Sequence, residues 1–402
     1  MLTLEAIKEV VEAQNELWVL KQEGVLREKL KETQLQEGFV NIITGIRRCG
    51  KSTLMRQLLT LVKGKSLFLN FEDPRLSGFD ISDFRRLDIL IKETKAKNLF
   101  FDEIQICNGW ELYARQKLDE GFQVTVTGSN AHLLSKELGT KLTGRHLSTT
   151  LYPFSYKEYL SFLKKKDSQK TIENYIKDGG FPEFLKFQNP NVLRQLLDDI
   201  LLRDIAVRYA VRDVSALRQL AVYLITNIGK PVSATNLKTS FGIKATSTLL
   251  EYFSYLENAY LVQFISKFSY SLQKQIRNPK KVYVIDLGLF EHASLAFSEE
   301  KGRRLENLVF LQYLRQGKEL TYFNEKKECD FIVSEHGKVK EAVQVCHELT
   351  PDNLDREIDG LVAALEFLNL KKGKIITLNQ TDEYELNGKI IEVISIRTLL
   401  NE

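Results

Sequence analysis

Apolar residues near the start of the chain recur at helical spacing. Ile7, Val10, Val11, Leu17 and Leu20 fall on one face of a charged, helix-favouring stretch over about 4–36. Beyond it the pattern changes. Four short β-prone runs, 39–44, 66–71, 98–102 and 123–127, alternate with helical stretches such as Leu54-Met55-Arg56-Gln57-Leu58-Leu59. Such alternation predicts a parallel sheet with helices on both faces. Helical periodicity then dominates from about 157 to 216, with Leu197, Leu201, Leu202 and Ile205 as an apolar stripe. A helix follows at 220–225, and a second opens at 232 with Ser233 as N-cap. After the turn Gly242-Ile243-Lys244, a third helix over 245–258 carries Leu249, Leu250, Phe253 and Leu256 on its apolar face. Two hydrophobic strands, near 261–268 and 281–286, flank a basic loop with Lys274, Arg277, Lys280 and Lys281. Three helices and a two-stranded wing make a winged helix, a fold that binds DNA or pairs proteins.

At 402 residues the chain exceeds one compact core, so several domains are expected. With 7 Pro and no Gly/Ser-rich tract, those domains should dock closely. Lys and Arg number 57 against 53 Asp and Glu, a surplus too small to argue for nucleic acid; any basic surface must be local. Cys49, Cys107, Cys329 and Cys346 show no C-x-x-C spacing and read as free thiols in a reducing compartment. No signal-peptide pattern opens the sequence, and no apolar run approaches the ~18 residues of a membrane span. The expectation is a cytoplasmic protein without a membrane partner.

One stretch carries sharp chemistry. Gly45-Ile46-Arg47-Arg48-Cys49-Gly50-Lys51-Ser52-Thr53 reads G-x-x-x-x-G-K-S between a β-prone run and a helix start. Gly45 and Gly50 permit backbone conformations and close approach that a Cβ forbids. The N–H groups of the loop and first helical turn, through Arg47, Arg48, Cys49, Gly50 and Thr53, can face an anion. Lys51 suits the β- and γ-phosphates of ATP, and the Ser52 hydroxyl suits Mg²⁺. Asn98-Leu99-Phe100-Phe101-Asp102-Glu103 is an apolar strand ending in two carboxylates, the Walker B pattern. Asp102 is the expected metal holder and Glu103 the group that polarises the attacking water.

Two further positions admit two readings each. Ser129 and Asn130, at the tip of the strand near 123–127, suit either a γ-phosphate sensor or a plain Gly-Ser-Asn turn. Arg145 suits either an arginine finger offered to a neighbouring subunit or an ordinary surface position.

The P-loop stretch, together with Asn70-Phe71-Glu72-Asp73, Asp102-Glu103-Ile104-Gln105, Thr127-Gly128-Ser129-Asn130, Gly144-Arg145, Tyr152-Pro153-Phe154-Ser155 and Gly179-Gly180-Phe181-Pro182-Glu183, resembles a large prokaryotic family. Its members are AAA-type ATPases with a C-terminal domain of unknown function. The resemblance runs from about residue 36 to the end. It implies a RecA-like core of the additional-strand type with a small helical lid, Asn130 or Ser129 as sensor, and Arg145 as finger.

The last part resembles the restriction-endonuclease-like fold, on Arg304-Leu305-Glu306-Asn307, Glu328-Cys329-Asp330-Phe331 and Ala342-Val343-Gln344-Val345-Cys346. Nucleases of that fold place an early Glu, a strand Asp, and then an acidic residue and a Lys two apart, to hold Mg²⁺ and steady the attacking water. Glu306 and Asp330 fit. Gln344 stands where the third carboxylate belongs and Cys346 where the Lys belongs; Lys338 and Lys340 are the nearby candidates for a migrated ammonium. A site without cleavage activity is expected, with Glu306 and Asp330 otherwise serving as structural hydrogen-bond partners.

The expected organisation is α/β: a helical segment at 1–36, the P-loop core at 37–156, a lid at 157–216, a winged helix at 217–290 and the endonuclease-like domain at 297–402. The expected activity is Mg²⁺-dependent ATP hydrolysis that drives or switches a partner-binding C-terminal region, on DNA or on protein, in a homo-oligomer. The alternatives are a slow nucleotide-controlled regulatory switch and an ATP-coupled nuclease.

Overall fold

The computed structural model describes residues 2–20, 24–33, 35–131, 141–293 and 300–402. The expected start of the last segment, at 297, lies outside them. The chain divides into two compact units, Met1–Tyr152 and Pro153–Glu402.

The first unit is built on five strands, β1 (Val40–Thr44), β2 (Ser66–Asn70), β3 (Asn98–Asp102), β4 (Gln123–Gly128) and β5 (His146–Thr150). They lie in the order β2-β3-β4-β1-β5, and every pairing is parallel. β4 is thus inserted between β3 and β1. β1 and β3 are buried at every residue, so their near-continuous apolar runs reflect a sheet covered on both faces. The fifth strand was not visible in the sequence. His-Leu-Ser-Thr-Thr is half-buried at the sheet edge and carries no apolar run.

The N-terminal helix is shorter than expected, Leu4–Leu20. Ile7, Val10, Val11 and Trp18 are its buried positions, whereas Leu17 is exposed. Its polar residues finish the other sheet edge. The side-chain amide of Asn15 accepts from the Phe68 N–H at 3.3 Å and donates to the Phe68 carbonyl at 3.0 Å. Gln14 does the same with Asn70, at 2.7 and 3.1 Å. An open strand edge is thereby closed by two side-chain amides.

The second unit begins with helices Tyr156–Leu163, Gln169–Asp178, Pro182–Phe187 and Pro190–Asp199. The last runs into a π-helical stretch, Ile200–Val207. Leu202 stands off the row of residues four apart that Leu197, Leu201 and Ile205 form, and it is exposed while those three are buried. The helices Val214–Thr226, Ala234–Ser240 and Thr246–Asn258 follow, with three short antiparallel strands, β6 (Pro231–Val232), β7 (Val262–Ile265) and β8 (Lys280–Val284), in the order β6-β8-β7. Leu250, expected on the apolar face, is exposed; Tyr252 takes its place in the core. The expected basic loop contains a helix, Leu272–Arg277, and Lys281 is a buried strand residue.

The remainder is a six-stranded mixed sheet in the order β13-β14-β12-β11-β10-β9: β9 (Glu319–Asn324), β10 (Glu328–Glu335), β11 (Lys338–Val345), β12 (Lys372–Thr377), β13 (Asp382–Leu386) and β14 (Lys389–Ser395). Helices Lys301–Arg315 and Leu354–Phe367 pack with it. Several motif residues prove architectural. Ser155 and Glu158 form a reciprocal cap on the helix Tyr156–Leu163. The Phe154 N–H donates to the Gly180 carbonyl at 2.8 Å, and a Cβ on Gly180 would stand 2.3 Å from the Phe154 carbonyl oxygen. The Gly180 N–H in turn donates to the buried Asp286 carboxylate at 2.6 Å. Among the described residues, no helix is long and apolar enough to cross a membrane.

Candidate nucleotide site

β1 ends at Thr44, the loop Gly45–Gly50 follows, and the helix Lys51–Leu61 begins. Gly50 caps that helix with φ 102°, in the left-handed region that glycine favours. Gly45 is required for space: a Cβ there would lie 2.0 Å from the Leu151 carbonyl oxygen. The loop therefore sits at the carboxyl edge of a parallel sheet, where such folds take their ligands.

Lys51 is buried. Its ammonium donates to the carbonyls of Gly45 and Ile46 at 3.2 and 3.3 Å and lies 3.7 Å from a carboxylate oxygen of Glu103. The Ser52 hydroxyl donates to Asp102 Oδ2 at 2.7 Å. The Thr127 hydroxyl, from β4, donates to Asp102 Oδ1 and accepts from the Glu103 N–H at 3.0 Å. Burial pushes the Asp102 carboxyl up to about 6, with the Glu103 charge adding to the rise; Thr127, Ser52 and Lys51 oppose it. Glu103 has φ 52°, which turns the chain sharply at the strand tip. The Gln105 amide donates to its carboxylate at 2.5 Å. Ser129 and Asn130 are buried just past the end of β4, whose Gly128 is level with Thr44 of β1.

The other expected loop residues separate by direction. Arg47 pairs with Glu72 at 3.1 Å, which accounts for the acidic residue after β2. Arg48 is exposed with φ 62°. The Cys49 thiol is wholly buried and donates to the Leu151 carbonyl at 3.3 Å; burial pushes its pKa up. Its side chain faces away from the loop's anion-facing surface, so only its backbone is available there. Thr53 lies beside Gly24. Arg145 is at the far edge of the sheet. Its carbonyl accepts from the Val40 N–H at the amino end of β1, and its guanidinium pairs with Asp119 at 2.8 Å. The whole length of β1, about 16 Å at ~3.3 Å per residue, separates that edge from the P-loop.

Two residues were missed. Thr127 was read as part of the strand and of the Thr127-Gly128-Ser129-Asn130 motif without a role of its own, though its alternation with Thr125 in Val-Thr-Val-Thr put polar groups on one face of a buried strand. Arg27 had no sequence signal. It is buried behind the loop, where its guanidinium donates to the Cys49 carbonyl at 2.7 Å and the Tyr152 carbonyl at 2.8 Å, and its N–H donates to Gln57 at 3.0 Å.

Residues 37–160 match the AAA domain family, and residues 169–300 match a domain of unknown function, DUF8612. The uncharacterized protein MJ1544 of Methanocaldococcus jannaschii is 35% identical over 378 residues, covering 87% of this chain and 84% of that protein. An uncharacterized protein of Haemophilus influenzae is 32% identical over 381 residues, covering 89% and 93%. Among solved structures, the Walker-type ATPase paby2304 of Pyrococcus abyssi superposes with a TM-score of 0.43 at 14% identity, covering 68% of this chain and 98% of that one.

Proposed function

Because the chain belongs to the family of these archaeal and bacterial relatives and carries an AAA domain over residues 37–160, we propose that it hydrolyses ATP with Mg²⁺. The observation that carries this reading is the triad of Ser52, Asp102 and Thr127 beside the Lys51–Glu103 pair. The residues fit both groups. A buried carboxylate raised to about 6 is one that a divalent cation would neutralise, and Ser52 and Asp102 offer it oxygen ligands. Mg²⁺ held there would offset charge on the phosphate oxygens.

The chain's own residues do the rest. The loop N–H groups and Lys51 bind the phosphates, Lys51 exchanging its contacts with the Gly45 and Ile46 carbonyls for phosphate oxygens. Glu103, held by Gln105 and by its own N–H on Thr127, takes the proton of the attacking water. Asn130 or Ser129 senses the γ-position. Arg145 lies at the wrong edge of the sheet for its own site, so it acts as a finger only for a neighbouring copy, and turnover requires an oligomer.

The partner-binding surface lies in the second unit. The helices and wing strands of 217–290 form a winged helix whose cleft of about 440 Å³ is lined by Leu250, Phe253, Phe264, Ile276, Arg277 and Lys280. Leu250, Tyr270, Leu272 and Ile276 are exposed. Exposed apolar side chains beside a cleft that carries Glu257 as well as Arg277 and Lys280 favour a protein partner over a DNA backbone.

The test is ATPase rate against protein concentration, with and without DNA, beside calorimetric ATP binding. Glu103→Gln should bind ATP like the parent and lose at least ~10²-fold in kcat. An unchanged kcat in Glu103→Gln, or no ATP affinity in the parent, refutes the proposal.

A further inference from the structure

The carboxylates that resemble a nuclease centre surround a lysine from elsewhere in the chain. The Lys281 ammonium, from β8, lies 3.2 Å from Glu306, 2.9 Å from Glu328 and 3.0 Å from Asp330. Only 2% of Lys281 is exposed. Glu306 comes from the helix Lys301–Arg315, and the two other carboxylates from β10. The Tyr283 hydroxyl donates to the same Glu306 oxygen at 2.6 Å.

Two further donor groups of the cluster are engaged as well. The second Asp330 oxygen accepts from the Val345 N–H at 3.0 Å. The Gln344 carbonyl oxygen, at the sequence position of the lost third carboxylate, accepts from the Asp330 N–H at 3.2 Å. Its NH₂ donates to Glu357 at 2.7 Å. Lys338 and Lys340, the expected stand-ins, are exposed at the opening of β11. Among the described residues, no three carboxylate, histidine or cysteine side chains are arranged to hold a metal ion. The residues do not fit the Mg²⁺ that an endonuclease-like fold would use.

We propose that Lys281 is the built-in cation of this cluster, standing in place of a divalent metal and turning a nuclease-like site into a joint between the β6-β8-β7 sheet and the C-terminal sheet. The surroundings of β8 agree with a joint. The Asn307 side chain accepts from the Val284 N–H and donates to its carbonyl, both at 2.9 Å. The Tyr283 ring stacks on Phe310 with centroids 4.5 Å apart. The Tyr322 hydroxyl, on β9, donates to the Pro279 carbonyl at 2.6 Å. A fixed ammonium gives the carboxylates their counter-charge without the open coordination positions that hydrolysis needs. The inference does not depend on ATP hydrolysis.

The test uses the full chain in two arms. In the first, Mn²⁺ is titrated by calorimetry into protein whose nucleotide-site metal position is removed by Asp102→Asn, with and without Glu306→Gln. The expected result is no Mn²⁺ uptake that depends on Glu306; such uptake would overturn the proposal. In the second arm, Lys281→Met should lower the melting temperature by roughly 5–15 °C, because three carboxylates lose their cation. Adding Glu306→Gln to Lys281→Met should recover part of that loss. Parent-like melting of Lys281→Met, or no recovery in the double variant, would also overturn it. If Lys281→Met does not fold at all, the Mn²⁺ arm still decides.

Discussion

Ser52 and Asp102 meet at 2.7 Å, hydroxyl to carboxylate, one from the first turn of the helix after the P-loop and the other from the tip of β3. Neither belongs to a local turn with the other; β4 separates β3 from β1, the strand on which the loop is rooted. The contact therefore reports that the two nucleotide motifs have been brought to one place. Asp102→Asn keeps the size and most of the hydrogen bonding but loses the charge. It should bind ATP without added Mg²⁺ about as the parent does and fail to tighten when Mg²⁺ is supplied. Calorimetry at zero and millimolar Mg²⁺ checks this, and a Mg²⁺ dependence equal to the parent's would remove Asp102 from the metal site.

Arg145 tests whether the site is completed by a second copy. Arg145→Ala should leave ATP affinity unchanged while kcat falls ~10³-fold or more, the scale of an arginine finger. In the parent, specific activity should rise with protein concentration as copies assemble. Mixing Arg145→Ala with an excess of Lys51→Ala should restore turnover, since each supplies what the other lacks. An Arg145→Ala enzyme that loses affinity and kcat together would mean that the residue acts through the fold, by way of its Asp119 pair.

Arg27 holds the back of the P-loop by two charge-assisted bonds to carbonyls, on Cys49 and Tyr152. Its loss would leave those carbonyls short of a donor. Arg27→Met should cost the first unit about 2–4 kcal/mol in a urea midpoint experiment, at ~1.5–3 kcal/mol for each hydrogen bond to a charged group, with part offset by the apolar replacement. Arg27→Lys should not rescue it fully, because an ammonium cannot span two carbonyls as a planar fork does. Equal midpoints for the parent and Arg27→Met would show that the loop stands without it.

The sequence was most legible where one local pattern served one local need. The P-loop was read from spacing because a tight turn, an anion and a helix start constrain neighbouring residues. β1 and β3 were read from apolar runs because a doubly covered strand has no polar face. Legibility failed where function came from tertiary convergence. Lys281 sat among Lys274, Arg277 and Lys280 and looked like one more basic surface residue; nothing local marks it as buried against carboxylates 25 to 49 positions away. Arg27 is silent for the same reason, since its partners are backbone carbonyls and leave no residue-type signature. β5 was hidden because edge strands are not obliged to be apolar, and Leu202 was misplaced because it stands off the row of residues four apart that Leu197, Leu201 and Ile205 form.

Asp286 supplies a stability test that is independent of nucleotide. Its carboxylate is wholly buried, accepting from the Gly180 N–H at 2.6 Å and the Gly288 N–H at 2.9 Å. Burial pushes its pKa up to about 7, against those two bonds and the Arg315 charge, which pull it down. A carboxyl in an unfolded chain titrates near ~3.9. Between the two values the folded form binds the proton that the unfolded form has released, so folding is favoured at the acidic end. Stability should fall as pH rises from about 4 to about 7 and level off above, by on the order of a few kcal/mol from this group. Glu306, raised to about 7 as well, adds a slope of the same sign, so the contribution of Asp286 must be read as a difference between proteins. Asp286→Asn should start lower than the parent, by about 1–3 kcal/mol, because one of the two N–H groups loses its acceptor. Its urea midpoint should nonetheless decline less steeply than the parent's over that interval. If the two profiles run parallel from pH 4 to pH 7, the carboxyl titrates in the folded protein as it does in the unfolded chain, and burial is not what governs it.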